Sequence, residues 1–494
     1  MNARMILRKC ALMALAALFI FISACGDGGA GGDGGSGLAD PQYNGEAVPA
    51  DEPVDVMTLI PEQDLDGFEI RFLTDIIWDW DFGPLHMMYV EELTGVPVND
   101  AIYRRNRIVE ARLNIAISEV VSRNNDAKGI IRRLVNAGDD EYDVVLAESW
   151  NIGNQLAVTG LLMNLHDTGL QLDAPWWDYA SIRDYTIGGN LFFVTGDHNL
   201  ISNDATWMLF FNRQMVQDLG LELPYDLVRE GRWTFDRQME YMRAAARDLD
   251  GDGIWGYDDI WGQVTHTQHY TGLLIAAGEN LITRDSGGLP IFGNVSERFF
   301  RVYDKIQEIM KGPGYTHNIH VPIPGAPGHR HATYEFLADK AMFCPEILAH
   351  TRRFRMMESD FGVLPHPKFD EHQEQYFSYV LGQVTVTCIP VTNSSLANTA
   401  IVLDALGMLS MHTTQPAYYE VSLIGQFFRD DESADMIDII RSSRVYGIAD
   451  AFGWGDATQT FQGAARDATP LASIIERHEA RINTAIDRTL EAFE

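Results

Sequence analysis

From Gly67 the sequence switches repeatedly between two hydrophobic periods, and this alternation limits the fold more than any other feature. "FEIRFLT" (68–74) reads as a strand, "VNDAIYRRNRIVEARL" (98–113) as a helix with Asn99 or Asp100 at its cap, and "NIAISEV" (114–120) as a strand of period two. "AKGIIRRLVNAG" (127–138) is helix-like and stops on Gly138, "YDVVLAE" (142–148) is an apolar strand buried on both faces, and "NQLAVTGLL" (154–162) is a further helix. A β-α-β-α-β order implies a parallel sheet with right-handed crossovers. Open sheets of this kind bind ligands beyond the carboxyl ends of their strands. Those ends carry Trp78 and Trp80 after the first strand, and Glu148 and Trp150 after the third.

A second α/β region follows. It contains "TWMLFFNRQM" (206–215) as strand into helix, "GLLIAAG" (272–278), the helix-like "SERFFRVYDKIQEIMKG" (296–312) and the strand "KAMFCPE" (340–346). "GQVTVTCIPV" and "LANTAIVLDALGMLSM" add another strand and helix. With 494 residues, 46% of them hydrophobic, the chain has enough apolar surface for two or three domain-sized cores.

The N-terminus places Arg4, Arg8 and Lys9 before an unbroken apolar run that ends in small residues at Ser23 and Ala24. This is the pattern of a secretion signal over residues 1–24, and the run is short for a bilayer core. "ISAC" (22–25) resembles the lipobox of bacterial lipoproteins, which implies lipidation of Cys25. The Gly/Asp/Ser tract behind it is too poor in apolar residues to fold, so 25–58 is expected to be a flexible tether. A membrane contact is therefore expected through the lipid anchor only. Against 37 Lys and Arg stand 70 Asp and Glu, a net charge of −33, and such a field repels phosphate backbones; nucleic acid is excluded as a partner. Cys344 and Cys388 sit in apolar runs and read as buried free thiols, with a disulfide as the alternative.

"DLDGDGIWGYDD" (248–259) matches the calcium loop of an EF-hand. Asp248, Asp250 and Asp252 take positions 1, 3 and 5, Gly253 the sharp turn, Ile254 the main-chain position 7, and Asp259 position 12. A helix precedes it, with Phe235, Met239, Met242 and Ala246 on one face, but "IWGQVTHTQHYTG" behind it does not continue as an exiting helix. The expectation is one isolated loop holding structural Ca²⁺, the alternative an Asp/Gly turn with no ion.

No G-x-S-x-G, H-E-x-x-H, Walker A or C-x-x-C motif occurs. Eight stretches in order along the chain instead carry a resemblance: "GVPVNDAIYRRNRIVEARLNI", "AGDDEYDVVLAESW", "VTGLLMNLHD", "PWWD", "FFNRQM", "EGRWTFD", "DLDGDGIWG" and "FFRDDESADMIDII". The chain resembles the family 1 extracellular solute-binding proteins, lipid-anchored receptors of bacterial ABC importers. The resemblance implies an α/β, two-lobed, periplasmic-binding-protein-like fold of type II with a cleft between lobes. It implies lobe 1 over 59–200 and again over 366–415, and lobe 2 over 201–365, with residues 416–494 returning to lobe 2 and forming C-terminal helices. Hinge crossovers are expected in "TGDHNLISND" (195–204), near "LPHPKFDEHQEQYF" (364–377) and near "MHTTQPAYYEVSL" (411–423). It further implies a small-molecule solute, a carbohydrate by this reading, ABC permease subunits as partners, and a place on the outer face of the bacterial cytoplasmic membrane. A calcium-dependent glycan hydrolase and a non-transporting surface sensor or adhesin stand as alternatives.

Sugar sites pair stacked aromatic rings with carboxylates and amides. The candidates for solute binding are Trp78, Trp80, Glu148 and Trp150 at strand ends, Asp197, His198, Asn203 and Asp204 beside the first crossover, and Glu346 after a second-lobe strand; packed-loop and turn roles suit the same residues. Trp176 and Trp177 are expected to split between core and surface, because neighbours on an extended segment face opposite ways. His266 and His269 are expected to be ordinary loop histidines, since no third metal ligand is near in sequence. Trp454 caps the cleft or packs.

Overall fold

The structure is a computed structural model that describes residues 55–75, 88–122, 125–293, 295–326, 331–419 and 432–494. The secretion signal, Cys25, most of the tether, Trp78 and Trp80 lie outside the described residues. Among the described residues no helix is long and apolar enough to cross a membrane.

Two sheets organise the chain. In the first, β1 (Phe68–Asp75) lies between β2 (Ile115–Ser122) and β3 (Val144–Glu148), parallel to both. In the second, β4 (Trp207–Asn212), β5 (Trp261–Thr265), β6 (Thr316–Asn318), β7 (Ala341–Ile347) and β8 (Phe361–Leu364) run in the order β8-β4-β7-β5-β6. Here β5, β6 and β7 are parallel, while β4 is antiparallel to both β7 and β8. The chain then returns to the first sheet, where β9 (Thr385–Cys388) pairs antiparallel with β3.

Most helices between these strands follow the sequence periodicity, but the one expected over 154–162 does not form: helix Ser149–Gln155 ends where it would begin, Ala157–Thr159 is a single 3₁₀ turn, and Gly160 in the left-handed conformation (φ 68°) stops it. Helix Pro97–Leu113 buries Val98, Ala101, Ile102, Arg105, Val109 and Leu113 at helical spacing. Neither Asn99 nor Asp100 caps it. Pro97 occupies the first turn, where its missing N–H costs nothing, and Asp100 accepts instead from the backbone of Thr94 and Gly95. Helix Ala127–Ala137 ends on Gly138 in the left-handed conformation (φ 76°). Each sheet has its own apolar core: Phe72, Val145 and Val386 belong to the first, and Phe210, Phe343 and Val363 to the second. Two helices join the cores. Pro97–Leu113 places Ile102 in the second and Val109 in the first, and the final helix Leu471–Phe493 places Ile474 in the second and Ile482 in the first. Cys344 and Cys388 are buried free thiols, one in each sheet.

Candidate solute cleft

Parallel strands deliver their carboxyl ends to one edge of a sheet, and here the edges of both sheets open on one cleft. The second sheet contributes His266 after β5, Ile319 and His320 after β6, and Glu346 and Ile347 at the end of β7, around a cavity of about 520 Å³. Antiparallel β4 brings its first residue, Trp207, to the same edge opposite Ile347. The first sheet contributes Glu148 and Trp150 to an adjoining cavity of about 190 Å³. Gln268, Leu381, Gln383, Gln459 and Gln462 line both cavities, so the two are one cleft. The larger cavity falls within the volume range of small-molecule sites, about 300–1,000 Å³.

On the first-sheet wall, Glu148 accepts a long contact from Asn151 Nδ2 (3.4 Å), and its pKa is raised by burial, with the charge of Asp75 adding to the effect. The Trp150 ring packs against the backbone of Gly453, which adopts the left-handed conformation (φ 67°). A Cβ there would stand 2.7 Å from the ring, so glycine is what permits the approach. Asp450 at this end accepts from Tyr379 Oη (2.7 Å), and burial raises its pKa. Four glutamines supply amide donors and acceptors across the cleft.

On the second-sheet wall, Glu346 is buried and meets three imidazoles. Its Oε1 lies 3.5 Å from His266 Nε2 and 3.6 Å from His331 Nδ1, and its Oε2 lies 3.3 Å from His350 Nδ1. Sequence reasoning did not find His331 or His350. They come from separate elements, the start of helix Ala332–Leu337 and the turn after β7, and no short motif joins them. A signal was nonetheless present, because nine of the 14 histidines fall between residues 266 and 372. His269 is buried and stacks on Trp207 with an interplanar angle of 3°.

The four candidates beside the first crossover line neither cavity. Asp204 is buried and receives Arg352 Nη2 at 3.0 and 3.1 Å together with the Tyr418 hydroxyl. Asn203 donates to Gln415 Oε1 (3.1 Å) and accepts from Arg444 Nη1 (3.0 Å). His198 holds Thr387 Oγ1 at 2.8 Å, and burial lowers its pKa to about 3. The pKa of Asp197 is pushed up to about 7 by burial, against the pull of Arg441 and Arg444. These residues tie the crossover to its surroundings. Trp176 and Trp177 correct the alternation argument: both are buried, and both indole N–H groups donate to Asp404 Oδ1, at 3.0 and 2.8 Å. A shared acceptor on helix Leu396–His412 overrides the alternation of an extended chain. Trp454 packs in the core and donates to Thr489 Oγ1 (2.9 Å).

In the calcium-type loop, Asp248, Asp250 and Asp252 each bring one carboxylate oxygen within 4.8 Å of the others. Asp248 accepts from the backbone of Gly251 and Gly253, and Asp252 from that of Ile254. Asp259 is buried and uses both oxygens on backbone N–H groups, those of Leu249 (2.9 Å) and Gly256 (2.7 Å), so in this arrangement it latches the loop.

At the level of sequence, no family model and no curated protein matches the chain. Solved structures do. The sugar-binding protein MalE from Xanthomonas citri superposes with a TM-score of 0.57 at 12% identity, over 86% of this chain and 99% of its own. UspC of M. tuberculosis gives 0.55 at 13% identity, over 85% and 100%. The ABC substrate-binding protein Lmo0181 from Listeria monocytogenes, solved with cycloalternan, gives 0.50 at 10% identity, over 87% and 99%. The chain has the two-lobed α/β fold of periplasmic binding proteins, as its resemblance implied.

Proposed function

We propose that this protein is an extracellular solute receptor that captures a small solute, a sugar or oligosaccharide, and delivers it to an ABC importer. The observation that carries the reading is the cleft itself. The carboxyl edges of two sheets converge on it, and it is lined by four glutamines, by Glu148 and Asp450, and by the ring of Trp150. Amides and carboxylates in a half-enclosed site suit a ligand rimmed with hydroxyls, and an aromatic face suits its apolar side. The neighbouring structures solved as a sugar-binding protein and with cycloalternan support the same ligand class. In this reading Trp78 and Trp80, which lie outside the described residues, serve as further solute-binding side chains, the permease subunits receive the closed form, and acylated Cys25 holds the receptor at the outer face of the membrane. The loop 248–259 takes Ca²⁺ as a structural ion remote from the solute.

The test is a thermal-shift screen over sugars, peptides and polyamines, followed by small-angle scattering with any hit. A solute at a hundredfold its Kd stabilises the fold by about 2.7 kcal/mol. Closure of the lobes on it shrinks the radius of gyration. Stabilisation only by non-sugars removes the carbohydrate reading, an unchanged radius at saturation removes the two-lobe trap, and turnover of the bound glycan makes the protein an enzyme. Membrane fractionation of Cys25→Ala checks the anchor, which fails as an idea if the cleaved variant still pellets after salt washing.

A further inference from the structure

The second-sheet wall of the cleft holds a constellation that solute binding through hydroxyls does not call for. A buried carboxylate normally acquires an arginine, a lysine or short hydrogen bonds. Glu346 instead faces imidazole nitrogens at 3.3–3.6 Å, and its Oε1 accepts no hydrogen bond from a described residue. These separations are long for charge-assisted N–H···O contacts, which lie at about 2.7–2.9 Å. The 3.3 Å between Glu346 Oε2 and His350 Nδ1 matches the edge of a coordination tetrahedron, about 3.3–3.4 Å when metal–ligand bonds are about 2.0–2.1 Å, and the 3.6 Å to His331 Nδ1 lies a little above it. Ligand atoms of His331, Glu346 and His350 all lie within 4.8 Å of one another, which leaves room for one ion between them.

The local fold explains how three distant residues meet. Glu346 is near the end of β7 with its side chain on the cleft edge, and the turn Leu348–His350 folds the chain back so that His350 faces the same carboxylate. His331 enters from the start of helix Ala332–Leu337, and its ring lies 4.6 Å from that of His350. Thr333 Oγ1 approaches His331 Nδ1 at 3.1 Å, so an ion takes the other ring nitrogen or displaces this contact. His266 directly follows β5, and its Nε2 lies 3.5 Å from Glu346 Oε1.

We propose that His331, Glu346 and His350 form a divalent transition-metal site on the wall of the cleft, with His266 orienting Glu346 and one coordination position open to the cavity. Two imidazoles and one carboxylate select Zn²⁺, Ni²⁺ or Cu²⁺ over Ca²⁺ and Mg²⁺, which prefer all-oxygen shells. Three protein ligands with an open fourth position is the arrangement that admits an exogenous ligand. Metal binding here does not depend on the identity of the solute. It extends the cleft's reach to solutes that carry a metal-binding group, such as a carboxylate or a pair of vicinal hydroxyls.

The experiment uses the full chain without a polyhistidine tag, freed of metal by chelator and titrated calorimetrically with Zn²⁺, then loaded with Co²⁺ for its visible spectrum. About one ion per chain is expected, together with a Co²⁺ band for nitrogen and oxygen ligands. His350→Ala and Glu346→Gln should each weaken binding by about 100-fold or more, and His266→Ala by about tenfold, as for a residue that orients a ligand. Asp250→Asn in the separate acidic loop should leave Zn²⁺ binding unchanged. Circular dichroism checks each variant; should His350→Ala not fold, Glu346→Gln, which keeps the side-chain volume, decides the matter. Failure of the wild type to bind Zn²⁺ at about 100 μM overturns the site, as does undiminished binding in folded His350→Ala and Glu346→Gln.

Discussion

Asp204 and Glu346 are both buried carboxylates, both stand out in the sequence as solute-binding candidates, and the structure uses them differently. Asp204 sits at the first crossover and is met by a permanent cation: Arg352 reaches both of its oxygens, and the Tyr418 hydroxyl adds a third contact. Glu346 sits on the cleft and is met by imidazoles at 3.3–3.6 Å. One short stretch, residues 346–352, serves both: Glu346 and His350 turn to the cleft, and Arg352 turns to the crossover. A carboxylate neutralised by a guanidinium with good geometry has no capacity left for a ligand. One faced by ring nitrogens at long range keeps its lone pairs for an ion or a solute.

The sharpest way to break this contrast is to remove each acid in turn. Asp204→Ala takes the buried carboxylate from the part-buried Arg352 and from the Tyr418 hydroxyl, and breaking a buried pair from one side costs about 3–5 kcal/mol, so a cost near the lower end, about 3 kcal/mol, is expected. In chelator, Glu346→Gln keeps the volume and removes a charge that, among the described residues, faces imidazoles at 3.3–3.6 Å and no guanidinium at ion-pair distance, so the cost should be smaller, about 1 kcal/mol. Urea denaturation of the two variants beside the wild type gives both values. Equal costs would mean that Glu346 is as structural as Asp204.

Much of the fold was legible because its signals are local. The β-α alternation of residues 68–148 needs only neighbouring residues to be read, and the place of Glu148 and Trp150 on the cleft wall follows from the rule about strand ends. The residues beside the crossover line neither cavity, for a physical reason. Asn203 and Asp204 are engaged by the side chains of Gln415, Arg444, Arg352 and Tyr418, and polar composition alone does not distinguish that work from ligand binding. The imidazoles around Glu346 were illegible because β5, a helix and a turn bring them together across residues 266–350. Trp176 and Trp177 show the same limit, since the acceptor that buries both, Asp404, is more than 200 residues away.

A smaller effect separates the two regions by pH. The pKa of Asp197 is raised to about 7 from an ordinary 3.8, mainly by burial. Between these values the folded chain holds a proton that the unfolded chain has lost, so the stabilising contribution is complete below about pH 4 and disappears as pH rises through about 7. The full displacement caps the effect at about 4 kcal/mol, and because the residue is only half-buried, about 1–2 kcal/mol is the expected size. Asp197→Asn, neutral at every pH, should therefore match the wild type at pH 4 and be the more stable of the two at pH 8. A gap that is the same at both pH values would mean that Asp197 is ionised throughout, held by Arg441 and Arg444 as Asp204 is held by Arg352.

The smallest expected effect extends the comparison to a third group of acids. Asp248, Asp250 and Asp252 are partly or fully exposed, unlike Glu346, and they face one another without an intervening imidazole. Like charges at this spacing repel, and a cation offsets the repulsion. Asp248 is already committed to the backbone of Gly251 and Gly253, however, and Asp259 to that of Leu249 and Gly256. An oxygen that accepts an N–H has less to offer an ion, and an aspartate at position 12 has a shorter reach than the usual bidentate glutamate. Affinity should therefore fall in the weak range of extracellular modules, about 10⁻⁴–10⁻³ M. Millimolar Ca²⁺ added to chelator-treated protein should raise the melting temperature by about 1–2 °C, and Asp250→Ala with Asp252→Ala should abolish the rise. Zn²⁺ at micromolar concentration should give its own shift in that double variant, because the imidazole site is untouched. A wild type whose melting temperature ignores Ca²⁺ makes the loop an Asp/Gly turn latched by Asp259, and leaves the cleft histidines as the one metal-binding arrangement still to be tested among the described residues.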